Sequence, residues 1–319
     1  MNKDKKTITI LITGSNGFVG RNLAELFLQN NYTVLAPLKD ELNLIDIGEV
    51  ERFFVKNHID VIIHSATTSL VGKTYPPEVC ENNLRMFFNL QKQMTPSMKL
   101  INFGSGSEYG RSYWHKKMPE EYFDEHIPED SHSYSKYLVS KYIRDINSEQ
   151  LTSLRVFGIF GKYEDYRYKF IANAIVKSLL GMPIVINQNV VYDYLYINDL
   201  YKIVEYFIHN DTDERIFNVT PTESVDLVTI ANSINELSGN TTEIQVLNQG
   251  IGVEYSGDNK KLLSEMGDFQ FTPLKVAIAE LYEYYKAIKD DLDIDAVRQD
   301  LYLNYAKDLR DTYFKKDIK

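Results

Sequence analysis

Three glycines, Gly14, Gly17 and Gly20, stand at a spacing that serves phosphate chemistry. They follow the apolar, β-branched run 7–13 and lead straight into the helix-forming residues 21–27. A buried parallel strand reads as such a run. Between a strand and a helix, this spacing gives a tight turn, close approach of a pyrophosphate, and close packing of helix on strand. The amides of Ser15, Asn16, Gly17, Phe18, Val19 and Gly20 would face the anion at the favourable end of the helix dipole. An acid at the end of the second strand would bind the ribose hydroxyls of NAD. Residues 34–39 hold none, and the charged group there is Lys39. A cation suits the additional phosphate of NADP, so NADP(H) is favoured and NAD(H) remains open.

The elements that position this turn follow in order. Strands are expected at 32–37, 61–64, 99–103 and 152–157, with helices at 50–57, 81–93 and 134–143 between them. Alternation of this kind predicts an α/β fold, a doubly wound parallel sheet with right-handed crossovers. Ligands bind such sheets outside the carboxyl ends of the strands. Gly14, Ser65 and Ser105 all fall at those ends, and small Ser65 and Ala66 let a cofactor lie against backbone. His64 reads as a strand-end packing residue. Farther on, a helix is expected at 170–180, a single strand at 190–197 entering a helix at 198–209, and a short strand at 215–219. Residues 227–285 mix short elements, and the charged tail 293–319 has apolar positions spaced for a docking helix.

The net charge of −10 and the lack of a Lys/Arg run argue against nucleic acid as a partner. The single cysteine, Cys80, forbids an internal disulfide and suits a reducing compartment. No apolar h-region opens the chain and no stretch is long enough to span a bilayer, so a cytoplasmic protein without membrane contact is expected. No metal-ligand cluster stands out.

Together these residues resemble the extended short-chain dehydrogenase/reductase family of nucleotide-sugar epimerases, dehydratases and reductases. The matches are Thr13-Gly14-x-x-Gly17-x-x-Gly20, Asp60-Val61-Ile62-Ile63-His64-Ser65-Ala66, Asn83, and Ser105 four residues before Tyr109-Gly110. Leu154-Arg155 with Gly161, Tyr194-Leu195-Tyr196-Ile197-Asn198-Asp199-Leu200 and Asp258-x-x-Lys261-Leu262 extend them. The segment 40–46 is similar to that of GDP-L-fucose synthases. The resemblance implies a Rossmann domain (1–160 plus about 193–220), a smaller α/β domain for a nucleotide-diphosphate sugar (about 161–192 plus 221–290) and the helical tail 291–319. It also implies hydride transfer between a nicotinamide and a sugar carbon, and a homodimer. Asn83 joins the cofactor-binding set, and Ser107, Glu108 and Tyr192 the substrate-binding set; Tyr192 stands where related enzymes often carry an arginine.

The family's acid/base pair is Tyr-x-x-x-Lys, with a Ser or Thr at the end of strand four. Here Ser105 fills the last position. Two registers fit the pair. In one, Lys136 is the lysine and His132 occupies the tyrosine position; in the other, Tyr137 and Lys141 form the pair. The Pro128-x-Asp130 lead-in and the helix length left before Arg155 favour the first. His132 would then be the acid/base, because imidazole titrates near neutrality; Tyr134 is an alternative phenol. The reading is an NAD(P)-dependent reductase of a 4-keto(-6-deoxy) nucleotide sugar. An epimerase that retains its NAD is the alternative. From another class, a non-catalytic NADP(H)-binding sensor or scaffold is motivated by the missing tyrosine.

Overall fold

The computed structural model describes residues 8–68, 74–239 and 241–314. Six parallel strands form its centre. β1 (Thr9–Thr13), α1 (Phe18–Gln29), β2 (Thr33–Leu35), α2 (Ile47–Lys56), β3 (Val61–His64), α3 (Val79–Gln91) and β4 (Lys99–Ser105) come first. After short 3₁₀ turns come α4 (Ser131–Ile146), β5 (Leu151–Val156), β6 (Gly158–Phe160), α5 (Phe170–Leu179), β7 (Ile184–Asn189), β8 (Val191–Tyr192), β9 (Tyr194–Tyr196) and α6 (Ile197–His209). The chain then runs through β10 (Ile216–Val219), β11 (Val225–Asp226), α7 (Leu227–Ser238), β12 (Ile244–Ile251), α8 (Lys260–Met266) and α9 (Leu274–Ala287). It closes with α10 (Ile294–Arg298), α11 (Leu301–Leu309) and a π turn, Arg310–Phe314.

The main sheet has the order β10-β5-β4-β3-β1-β2, every pair parallel. Its central strands are mostly apolar because helices cover both faces: Ile10, Leu11, Ile12, Ile62, Ile63 and Leu100 are fully buried. The order reverses at β1, so the carboxyl ends of β1 and β3 open a crevice where a doubly wound sheet takes its ligand.

Two elements differ from their sequence reading. The strand expected at 190–197 is broken into β8 and β9 by Asp193. This carboxylate is buried and accepts from Lys117 Nζ, Thr220 Oγ1, Ser224 Oγ and the Gly257 amide. Satisfying a buried carboxylate takes those four donors, and the ladder gives way around it. α4 is longer than expected at both ends. Asp130 caps its first turn by accepting from the Ser133 amide at 2.9 Å, and Asn147 closes it in the left-handed region.

Apart from the main sheet, β7 pairs with β12 in parallel, and β8 pairs with β11. The tail docks against this part. Asp300 ion-pairs at 2.8 Å with buried Lys177 of α5, and Tyr302 and Val297 are buried. Residues 315–319 lie outside the described residues.

Candidate active site

The turn after β1 fits a dinucleotide pyrophosphate. Gly14 has φ +68°, and a Cβ there would meet the Ala66 amide nitrogen at 2.7 Å. A Cβ on Gly20 would sit 2.3 Å from the Gly14 carbonyl oxygen, so α1 packs against β1 with no room for a side chain. Gly17 is the N-cap of α1 and supplies no side-chain acceptor, and the first turn carries no acid. The helix-opening amides, beginning at Phe18 and Val19, are thus left for an anion. Asn16 is exposed at the tip of the turn. Ser15 turns away from it and donates to the carbonyls of Ala36 and Pro37 at 3.0 and 3.1 Å. Lys39 is exposed in the turn beyond β2.

At the end of β3 the side chains are used to hold the crevice rather than to line it. Ser65 Oγ donates to the Thr13 carbonyl at 2.6 Å, and the Ala66 amide donates to Thr13 Oγ1 at 3.3 Å. His64 Nδ1 pairs with Thr13 Oγ1 at 2.9 Å. Asn83 Oδ1 accepts from the Thr68 amide while its Nδ2 donates to Ser135 Oγ at 2.9 Å. It therefore ties the loop after β3 to α4, which is how it serves the crevice.

The two lysine registers separate in space. Lys136 is half-buried and its Nζ donates to the Phe103 carbonyl of β4 at 2.7 Å. Burial lowers its pKa to about 8, with Glu108 opposing. Lys141 instead ion-pairs with Asp124 at 2.5 Å, and the Tyr137 hydroxyl donates to the same carboxylate. Arg144 completes that knot at 2.9 Å. Tyr137 packs with Tyr109, Met118, Phe123 and Phe157 rather than at the strand ends. Tyr134 lies on the exposed face of α4.

His132 stands one turn before Lys136, and its ring stacks on Tyr75 at 4.3 Å. Among the described residues its Nδ1 has no partner. Burial, and next the charge of Lys136, push its pKa down to about 3. The expectation that this imidazole titrates near neutrality is therefore corrected: it is neutral across that range. His64, fully buried, is likewise held at about 3 by burial and then by Lys136.

Ser105 ends β4. Its Oγ accepts from the Ser107 hydroxyl at 3.0 Å and the Ser107 amide at 3.1 Å. Ser107 is buried, so it orients Ser105 rather than facing a ligand. Glu108 corrects a second expectation. It is 0% exposed, ion-paired with Arg155 (1% exposed) at 2.9 Å, and accepts from the Ser105 amide at 2.8 Å. Both carboxylate oxygens serve the strand end and none is left for substrate.

Beyond Ser105 opens a cavity of about 280 Å³, lined by Arg111, Phe157, Gly158, Tyr192 and Tyr255 on the near side. Tyr192 thus reaches the cavity, with burial raising its pKa to about 12. The Tyr255 hydroxyl lies beside the Ser105 hydroxyl, and Trp114 stacks on the Tyr255 ring at 4.0 Å. Tyr302, Tyr305, Leu309, Arg310, Tyr313 and Phe314 of the tail form a further wall. None of Arg111, Tyr255, Glu164 or this wall was singled out from sequence; only the apolar spacing of the tail hinted that it docks.

The sequence model of the NAD dependent epimerase/dehydratase family matches residues 10–220. The chain is 24% identical over 296 residues to GDP-6-deoxy-D-talose 4-dehydrogenase of Aggregatibacter actinomycetemcomitans, covering 86% of this chain and 97% of that protein. It is 25% identical over 300 residues to dTDP-4-dehydro-6-deoxyglucose reductase of Escherichia coli, covering 83% and 93%. Its fold is similar to that of MlghC, a GDP-mannoheptose C4 reductase from Campylobacter jejuni solved with NADP, at a TM-score of 0.75 and 18% identity over 89% of this chain and all of that one. With the glycine turn, the crevice and the Ser105–Lys136 strand end in place, the chain belongs to the NAD-dependent epimerase/dehydratase family and is an enzyme of the extended short-chain dehydrogenase/reductase type.

Proposed function

We propose that the protein is a nucleotide-sugar reductase that converts a 4-keto(-6-deoxy) sugar to the alcohol, with NADP(H) as the favoured cofactor. The observation that carries this reading is the anchoring of Lys136 on the Phe103 carbonyl of β4, the strand that ends in Ser105. Ser105 lies beside Tyr255, which lines the aromatic cavity. A relative named as a dTDP-4-dehydro-6-deoxyglucose reductase and one named as a GDP-6-deoxy-D-talose 4-dehydrogenase, both acting at C4 of a nucleotide-linked sugar, support it. The lack of an acid among residues 34–39, with Lys39 in the turn after β2, supports NADP(H).

Gly14, Gly17, Gly20 and the amides of Asn16, Phe18 and Val19 would hold the pyrophosphate, and Ser65, Ala66 and Asn83 frame the crevice beside it. A bound nicotinamide supplies the hydride. Ser105 would donate its hydroxyl proton toward the sugar carbonyl oxygen, since its lone pairs are already met by Ser107. Lys136, lowered to about 8, supplies the positive charge that favours negative charge developing on that oxygen and releases a proton readily near neutrality. His132 contributes a neutral ring, a positioning surface rather than a cation. Tyr192 and Tyr255 wall the sugar side of the cavity.

The test is absorbance at the reduced-nicotinamide band with purified protein. NADPH and NADH are offered in turn with CDP-, GDP-, UDP- and dTDP-linked 4-keto sugars. Oxidation of NADPH with at least one sugar is expected. Tight dinucleotide binding without oxidation would overturn the reductase reading in favour of an epimerase that retains its NAD, or of a sensor without turnover.

A further inference from the structure

The far end of the cavity holds a carboxyl group for which the proposed reduction has no use. Glu164 follows β6, its amide donating to the Gly161 carbonyl at 3.2 Å and its carbonyl accepting from the Tyr285 hydroxyl at 2.7 Å. The backbone is thus fixed from two sides. Its side chain is 6% exposed and lines the cavity, with Phe170, Tyr194 and Tyr302 as neighbouring walls. Oε2 has no hydrogen-bond partner among the described residues. Its sequence neighbour Asp165 behaves differently, with both oxygens taken by Arg167 at 2.8 Å.

A buried polar atom without a protein partner is costly, so a ligand donor that meets it is favoured. An ionised carboxylate offers two acceptors side by side and no donor. Among the common nucleobases, guanine alone presents two adjacent donors on one edge, N1–H and N2–H₂. Adenine and cytosine alternate donor and acceptor there, and uracil and thymine place one N–H between two carbonyls. The flat aromatic walls suit a planar ring.

We propose that Glu164 is the base-reading group of the nucleotide subsite and selects guanine nucleotides, its two oxygens accepting from N1–H and N2–H₂. This rests on the nucleotide-sugar reading above.

The charge state of Glu164 gives the proposal a signature. Burial raises its pKa to about 8, with Lys169 opposing and Asp165 adding to the rise; the phenols of Tyr194 and Tyr285, the other titratable groups that feel it, stay protonated. Near neutrality the free carboxyl therefore tends to hold its proton, and guanine binding expels that proton to solvent.

The experiment is calorimetry on the full chain at pH 7 in two buffers of different ionisation enthalpy, with GDP-mannose, UDP-glucose and ADP-glucose. These diphosphate diesters stay fully ionised and share everything but base and sugar. GDP-mannose is expected to bind about 10–100-fold more tightly and to release close to one proton more than the other two. Glu164→Gln, nearly isosteric, is expected to abolish both differences. Equal affinities, equal proton counts, or a Glu164→Gln variant that keeps the guanine preference would overturn the role of Glu164 while leaving a nucleotide-sugar site intact. Failure of all three ligands to bind would overturn the nucleotide-sugar reading and this proposal with it. The proton count is read on the unmutated protein, so a variant that does not fold leaves a decisive measurement.

Discussion

Replacing Glu108 by Gln separates a structural carboxylate from a substrate-binding one. The Glu108–Arg155 pair is sealed, with Nε to Oε2 at 2.9 Å and the two side chains 0% and 1% exposed. Arg155 Nη1 also donates to the Tyr109 hydroxyl at 2.9 Å and to Asn218 Oδ1 at 3.1 Å, and the guanidinium lies 4.6 Å from the centres of the Tyr109 and Phe123 rings. Breaking a buried pair by removing one charge costs about 3–5 kcal/mol, because the other charge is left uncompensated. Glutamine still accepts from the Ser105 amide, and the nearby carboxylate of Glu120 remains. The lower end, about 3 kcal/mol, is therefore expected. Urea unfolding measures it as a fall in midpoint at unchanged slope. In a cycle with Arg155→Met, the double variant should cost less than the sum of the singles, since removing both charges also removes the penalty of stranding one. A Glu108→Gln protein with unchanged stability and a raised KM would refute the reasoning and return Glu108 to the substrate.

Gly20→Ala should lose dinucleotide binding in a fluorescence titration with NADPH and cost about 1–3 kcal/mol of stability, because its methyl would sit 2.3 Å from the Gly14 carbonyl oxygen; unimpaired binding would show that helix and strand need not pack this closely. Acid should unfold the protein early. His64 and His132, held at about 3, bind a proton in the unfolded chain below its ordinary 6.5, so stability present above pH 6.5 is lost as pH falls toward 3. The slope is up to about 1.4 kcal/mol per pH unit for each histidine, and urea midpoints flat between pH 7 and 5 would contradict it. For the reaction, kcat should hold steady below pH 8 and fall tenfold per unit above it as Lys136 loses its proton. The same alkaline limb surviving in Lys136→Met would assign it to another group.

What the sequence showed and what it hid divide along the distance over which each residue's reason acts. Gly20 is demanded by the Gly14 carbonyl six positions before it and Gly14 by its own positive φ, so spacing made the phosphate turn legible, although the β3 end at Ala66 also crowds Gly14. The two lysine registers share one local pattern, and they are told apart by contacts the chain makes elsewhere: Lys136 with Phe103, 33 positions away, and Lys141 with Asp124, 17 away. Glu108 read as a free acid at a strand end because its partner, Arg155, lies 47 positions on in β5. His132 kept its ordinary pKa on paper because burial is a property of the fold and of no single residue. The hardest case is Glu164, set among Lys162, Tyr163, Asp165, Tyr166 and Arg167, where polarity suggests a solvated loop. Its burial is made by elements far along the chain, among them Tyr285 on α9, which bonds its carbonyl from 121 positions away, and Tyr302 of the tail. A tail that reads as an afterthought to the family pattern thus helps to close a cavity begun some 190 residues earlier at Arg111 and Trp114. By the same reasoning, the residues that choose the ligand of such a fold are least visible in the segments that carry its family motifs.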